Sequence, residues 1–243
     1  MIDVAATVAL IGYYTLTLFV IPAALRLSRL TSPEVVRKLQ HLGYGFSIFL
    51  LLELFSGPLP AIAAALLLTV IAYPALLILE RTPWHSRLLV ARAGGGSELR
   101  RQMLYIQATF SALILVFWSL LGDEMRRYAA VAAMTWTFGD AAAAFVGKTW
   151  GSRTIRHPWV EASKTAEGTS AMVAASVVAT ALTLWLYAEA PWGISVLISF
   201  IIAPACGAIE LVSRRGADTL TVPLTAGAIL LPLSLAIHQY GTA

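Results

Sequence analysis

Apolar positions along this chain come in unbroken runs of roughly 20 residues, long enough to cross about 30 Å of hydrocarbon, and the runs recur from end to end. Eight segments are predicted as helices, at about 4–25, 40–56, 59–79, 102–121, 128–147, 169–187, 193–212 and 220–238. A large soluble helical core is excluded, because its helices would carry polar faces. The second segment is short and contains Gly43 and Gly45, so it reads as tilted or half-buried and a seven-span count stays open. Breakers separate several runs: Ser56-Gly57-Pro58, Gly94-Gly95-Gly96 and Ala190-Pro191. The first run lacks a basic segment before it and exceeds a typical signal core, so a retained helix is expected. The alanine-rich stretches in the third, fifth and sixth segments fit close helix packing, since small side chains let backbones approach. No internal repeat is visible.

Composition agrees with the pattern. Of 243 residues, 58% are apolar and 12% charged, where a soluble domain carries about 25% charged residues. The expected fold class is all-α, a polytopic helical membrane protein in one transmembrane domain over residues 1–243. Cys206 is the lone cysteine, so an internal disulfide and a zinc cluster are not expected. The formal charge of +4 suggests no nucleic-acid partner. Topology accounts for most of the basic residues. With eight alternating spans, fifteen of the seventeen Lys and Arg fall on one side and only Arg126 and Arg127 fall opposite. The positive-inside rule makes the rich side cytosolic and both termini non-cytosolic.

Four elements on that side carry candidate chemistry. Arg37-Lys38-Leu39-Gln40-His41 enters the second segment; it reads as snorkelling anchors or as an anion clamp, and Arg37 and His41 share a face if the helix starts early. Gly139-Asp140 and Gly147-Lys148-Thr149-Trp150-Gly151 bracket four alanines. Asp140 stands inside an apolar run, where an acid is costly and has a partner, a cavity or a metal. Mg²⁺ suits it, being a hard cation that takes carboxylate and phosphate oxygens. The loop 152–168 ends in Lys164-Thr165-Ala166-Glu167-Gly168-Thr169-Ser170 at the start of the sixth segment. A helix start binds phosphate through its unpaired N–H groups, and Thr165 or Thr169 also fits a plain cap. Glu210 follows a long apolar run and reads as a pathway or metal carboxylate; Asp218 then opens the last segment, followed by Val222-Pro223. Glu53, Asp123, Glu124, Glu189 and His238 scatter over the opposite boundary, and His85 and His157 lack ligand spacing; none is assigned chemistry.

Taken in order, Arg37-Lys38…His41, Gly139-Asp140 with Ala141–Ala144, Gly147-Lys148…Gly151, Lys164–Thr169 and Glu210…Asp218…Val222-Pro223 resemble the dolichol kinase, phytol kinase and CTP-dependent diacylglycerol kinase family. The likeness covers about residues 33–225, and the compact size and the Glu210–Pro223 region look closest to the phytol kinase branch. The resemblance implies phosphoryl transfer from a nucleoside triphosphate, usually CTP, to the hydroxyl of a membrane lipid alcohol of phytol or geranylgeraniol type, assisted by Mg²⁺ at the cytosolic membrane boundary. It implies Asp140 and Lys164 as catalytic residues. Arg37, Lys38, His41, Gly147, Lys148, Thr165 and Gly168 become nucleotide or phosphate contacts, and Asp140, Glu210 and Asp218 metal carboxylates. Two positions depart from the family pattern. Asp218 is followed by Thr219 where the family often has asparagine, and Lys148 replaces an arginine, keeping charge but losing the bidentate fork. A cytidylyltransferase of the CDP-diacylglycerol synthase type and a non-enzymatic transporter or scaffold stay as alternatives. The alcohol, the choice of CTP or ATP and the oligomeric state are left open by the residues.

Overall fold

The computed structural model describes residues 3–28, 32–81, 96–161, 163–214 and 216–241. Arg29, Arg87, Arg92, His85, Gly94, Gly95 and Arg215 lie outside the described residues. The described chain is all-α, with a single isolated β-bridge between Thr154 and Thr165. Its helices are α1 (Val4–Ser28), α2 (Pro33–Glu53), α3 (Pro58–Glu80), α4 (Gly96–Ile114, continued by Leu115–Leu120), α5 (Arg127–Thr149), α6 (Ala166–Leu186), α7 (Trp192–Val212) and α8 (Asp218–Gly241). All but α2 contain a stretch long and apolar enough to cross a bilayer, giving seven candidate spans among the described residues. The chain groups into two compact units, Met1–Ser111 and Ala112–Ala243.

In the first unit, α2 begins well before the predicted residue 40 and ends before 56. Ser32 caps it by accepting a hydrogen bond from the Val35 N–H at 3.4 Å, Pro33 opens the first turn, and Glu34 faces the positive end of the helix dipole. The charges of this segment mask its helicity in a hydropathy reading. The early start puts Arg37 and His41 on one face, as the sequence required for them to act together.

α1 meets α2 through polar contacts. The Tyr13 hydroxyl donates to the Gly43 carbonyl at 2.8 Å, and Tyr14 and Ser47 share a 2.8 Å hydroxyl contact. Pro22 has no N–H, so the Leu18 carbonyl four residues earlier loses its helical donor. Gln40 supplies the replacement, its amide donating to that carbonyl at 2.8 Å. The helix passes through a π-helical stretch, Thr15–Val20, just before the proline.

The second unit is built around α5. Every residue from Tyr128 to Thr137 is buried, and α6, α7 and α8 pack on it. Small and hydroxylated side chains make this possible. Thr135 and Thr180 hydroxyls meet at 2.7 Å, and Ser176 donates to the Thr135 carbonyl at 3.0 Å, stitching α5 to α6. A Cβ on Gly139 would collide with the Ser176 hydroxyl, so glycine is what allows the two backbones this close.

The N-terminal end of α5 carries a belt of charge and aromatic rings. Arg127 pairs with Glu189 at 2.7 Å, and Arg126 bonds Asp123 at 3.2 Å while lying over the Trp118 ring. Trp185 near the end of α6 and Trp192 at the start of α7 meet edge to face. Arg126 and Arg127 therefore both have acidic partners. Interfacial aromatics of this kind are typical of a membrane–water boundary.

Candidate functional site

The opposite end of the second unit gathers the chemistry. There the C-terminal part of α5, the start of α6, the end of α7 and the start of α8 lie together, as successive antiparallel helices place them. Four charged groups of interest come from this end: Asp140 from α5, Lys164 from just before the Thr165 cap of α6, Glu210 from α7 and Asp218 from α8. The Lys164 ammonium forms an ion pair with Glu210 Oε1. Glu210 is only 3% exposed, so this lysine neutralises a carboxylate that would otherwise be strongly disfavoured in the interior. Asp218 lies within electrostatic range of Asp140, Lys164 and Glu210 together. Asp140 and Asp218 are each intermediate in exposure as residues.

Lys164 is held by a folded loop. The Ile155 N–H donates to the Lys164 carbonyl at 3.0 Å, and the Ala166 N–H donates to the Arg153 carbonyl at 2.9 Å. Glu167 reaches back from the first turn of α6. Its carboxylate accepts from the Ser152 hydroxyl at 2.7 Å and from the Ser152 and Arg153 N–H groups, each at 3.2 Å. Arg214, just past α7, donates to the Pro158 carbonyl and ties the loop to the α7–α8 connection. That connection reverses at Gly216, whose φ of +80° suits a residue without Cβ. Ser213 and Thr221 then bridge the two helix ends through a 2.6 Å hydroxyl contact.

The motif glycines have a packing role that spacing alone could not reveal. Gly147 on α5 and Gly168 on α6 face each other where the helices cross, and a Cβ on Gly168 would fall 2.9 Å from the Ala143 carbonyl and 3.2 Å from Gly147 Cα. Thr165 is the α6 cap, its hydroxyl accepting from the Gly168 N–H at 3.2 Å. Gly151 packs against the same Thr165 side chain. These residues place the loop and the lysine on the bundle. Lys148 is exposed in the last turn of α5.

Arg37, Lys38 and His41 belong to the first unit. Arg37 pairs there with Glu34, one turn earlier on α2. Among the described residues, no three His, Cys, Asp or Glu side chains are gathered as a ready metal cage. The carboxylates of Asp140 and Asp218 still suit Mg²⁺, which takes one or two protein carboxylates and completes its shell with water and substrate phosphate.

Comparison with known proteins agrees with this reading of the motifs. No protein-family profile matches the chain, and no solved structure matches it. Among curated proteins, the phytol kinase of Synechocystis sp. is 30% identical over 203 residues, covering 80% of this chain and 77% of that protein. With this relative and with seven helices among the described residues long and apolar enough to cross a bilayer, the chain belongs to the phytol kinase family.

Proposed function

We propose that this protein is a lipid-alcohol kinase that transfers a phosphoryl group from CTP to a membrane isoprenoid alcohol of phytol or geranylgeraniol type, at the cytosolic boundary of the bilayer. The observation that carries the proposal is the meeting of Asp140, Lys164, Glu210 and Asp218 at one end of the second unit. The membership of the family supports it.

Phosphoryl transfer asks the protein mainly to position two substrates in line and to offset charge on the transferring group. Lys164 is a flexible point charge suited to phosphate oxygens, and its partner Glu210 keeps it aimed when no nucleotide is present. Asp140 and Asp218 are the carboxylates that would hold Mg²⁺, with Glu210 at the edge of the set. When bound with the triphosphate, Mg²⁺ supplies Lewis-acid charge stabilisation. In this proposal Asp140 also accepts a hydrogen bond from the attacking hydroxyl and orients it. Arg37, Lys38 and His41, clustered on the first turns of α2, are proposed as a phosphate-binding element in their own right. The cytosolic placement rests on the basic residues of the connecting segments.

The test uses purified protein in nanodiscs with Mg²⁺ and CTP or ATP in turn, against a panel of lipid alcohols. The expected products are lipid monophosphate and CDP. Pyrophosphate in place of CDP would mean a cytidylyltransferase. Solute transport without nucleotide turnover would mean a transporter.

A further inference from the structure

An apolar groove runs along the outer side of α6, with Phe200 of α7 as its other wall. Thr169, Ser170, Val173, Ala174 and Val177 line it, and its volume is about 540 Å³. From Thr169 to Val177 the groove follows about 12 Å of helix at 1.5 Å per residue. It is open sideways, so a molecule already dissolved in the bilayer could enter without passing through water.

Its two ends differ. One end is wholly apolar. The other carries Thr169, five residues beyond Lys164. Across from Thr169 stands Gly207 of α7, where a Cβ would lie 4.0 Å from Thr169 Cγ2 and 2.6 Å from Val173 Cγ2. Glu210, the partner of Lys164, is three residues further along α7, about 4.5 Å of helical rise towards the charged cluster. The groove therefore leads from hydrocarbon to the ion pair.

The Thr169 hydroxyl differs from those of several other described helical threonines, and shares its lack of a hydrogen bond with Ser111 Oγ. Thr135, Thr137 and Thr183 each donate to the carbonyl four residues earlier, the common resting place for a helical threonine. Thr169 Oγ1 is buried and makes no hydrogen bond to any described residue. A buried hydroxyl left so costs free energy unless a ligand completes it. A lipid alcohol offers the matching chemistry, an apolar tail for the groove and one hydroxyl that Thr169 Oγ1 meets once its side chain turns from its buried position towards the groove.

We infer that this groove is the tail subsite of the alcohol substrate and that Thr169 positions the alcohol hydroxyl next to the charged cluster. The inference rests on the kinase reading above for the word substrate; the groove itself is tested separately by binding.

Kinetics test it first, on the full chain in nanodiscs. Ala174→Trp fills the groove and is expected to raise KM for geranylgeraniol about tenfold relative to KM for dimethylallyl alcohol, with nucleotide KM unmoved. Val178→Trp, on the same helix but not lining the groove, should leave that ratio as it is. Thr169→Val should lower kcat about tenfold with every alcohol while leaving the chain-length dependence intact, and Thr169→Ser should restore it. A geranylgeraniol ratio unchanged in Ala174→Trp overturns the tail subsite, and full kcat in Thr169→Val overturns the positioning role.

A geranylgeraniol analogue with a tail diazirine tests binding without turnover. It is expected to label residues 169–177 and Phe200 in the wild-type protein. Equal labelling of those residues by a diazirine phosphatidylcholine means a general lipid-facing groove and overturns the inference. If the wild-type protein phosphorylates no alcohol, the kinase reading fails. Selective labelling by the alcohol would then keep the groove as an alcohol site, and its absence would overturn that too.

Discussion

Helices α3 and α5 are equally long, 23 residues each, and both are rich in alanine, yet their surroundings are opposite. In α3 only 17% of the spanning stretch is buried, and Leu59, Val70, Ile71 and Ile78 stand exposed. In α5 the share is 56%. The less apolar helix is the more buried one. In water the reverse would hold, because apolar surface drives burial. In a bilayer the lipid solvates apolar surface, so the inside of the protein is marked by small and polar residues that pack closely and bond to each other. Thr135, Thr137, Gly139 and Asp140 are therefore the signature of an interior helix, and the leucine and isoleucine of α3 are the signature of an outer one.

The contrast is testable by substitution. The largest effect is expected at Asp140. Asp140→Asn should lower lipid-phosphate formation by a hundredfold or more, on the scale of losing one charge-stabilising group in an active site. Thr69→Val on α3, whose hydroxyl only turns back to the Ala65 carbonyl, should leave turnover within about twofold of wild type. A folded Asp140→Asn protein with full activity would end the assignment of that acid to the chemistry.

Next comes the ion pair. Lys164→Met removes the ammonium that pairs with the buried Glu210 carboxylate and should cost about 3 kcal/mol in a reversible unfolding titration. The double variant Lys164→Met/Glu210→Met should recover most of that stability and none of the activity. A double variant as unstable as the single one would mean that the lysine acts by packing alone.

Smaller again is the packing contrast. Gly139→Val forces α5 from α6 at Ser176 and should cost about 1–3 kcal/mol. Ala63→Val on the exposed face of α3 should stay within about 0.5 kcal/mol of wild type. Equal costs at the two positions would remove the distinction between the helices.

Much of this was legible in the residues. Seven of the spans stand close to where the apolar runs put them, because a bilayer demands unbroken apolar length and little else competes with that signal. Asp140 and Glu210 stood out because an acid in an apolar run has few innocent explanations. The start of α2 was harder. Hydropathy hides a charged helical turn, although Ser32-Pro33-Glu34 carries a cap, a proline and an acid in the order that begins a helix. The pairing of Lys164 with Glu210 joins residues 46 positions apart and has no local signal. The roles of Gly147 and Gly168 were also out of reach, since a glycine that admits phosphate and one that admits a neighbouring helix look alike in one dimension. Thr169 belonged to a recognised motif, but only its missing hydrogen bond sets it apart from a cap or a filler.

The folded loop before α6 has a consequence for how tightly a nucleotide can be held. Ordering a free backbone costs about 1–2 kcal/mol of conformational entropy per residue. At Ser152–Ile155 and Lys164–Ala166 that ordering is already done at folding, through the Glu167 carboxylate, the Thr154–Thr165 bridge and the backbone bonds of Ile155 and Ala166. A ligand meeting Lys164 does not have to freeze the segment that carries it. More of each contact is then available to steer the reaction itself, the advantage of a group held in place before its partner arrives.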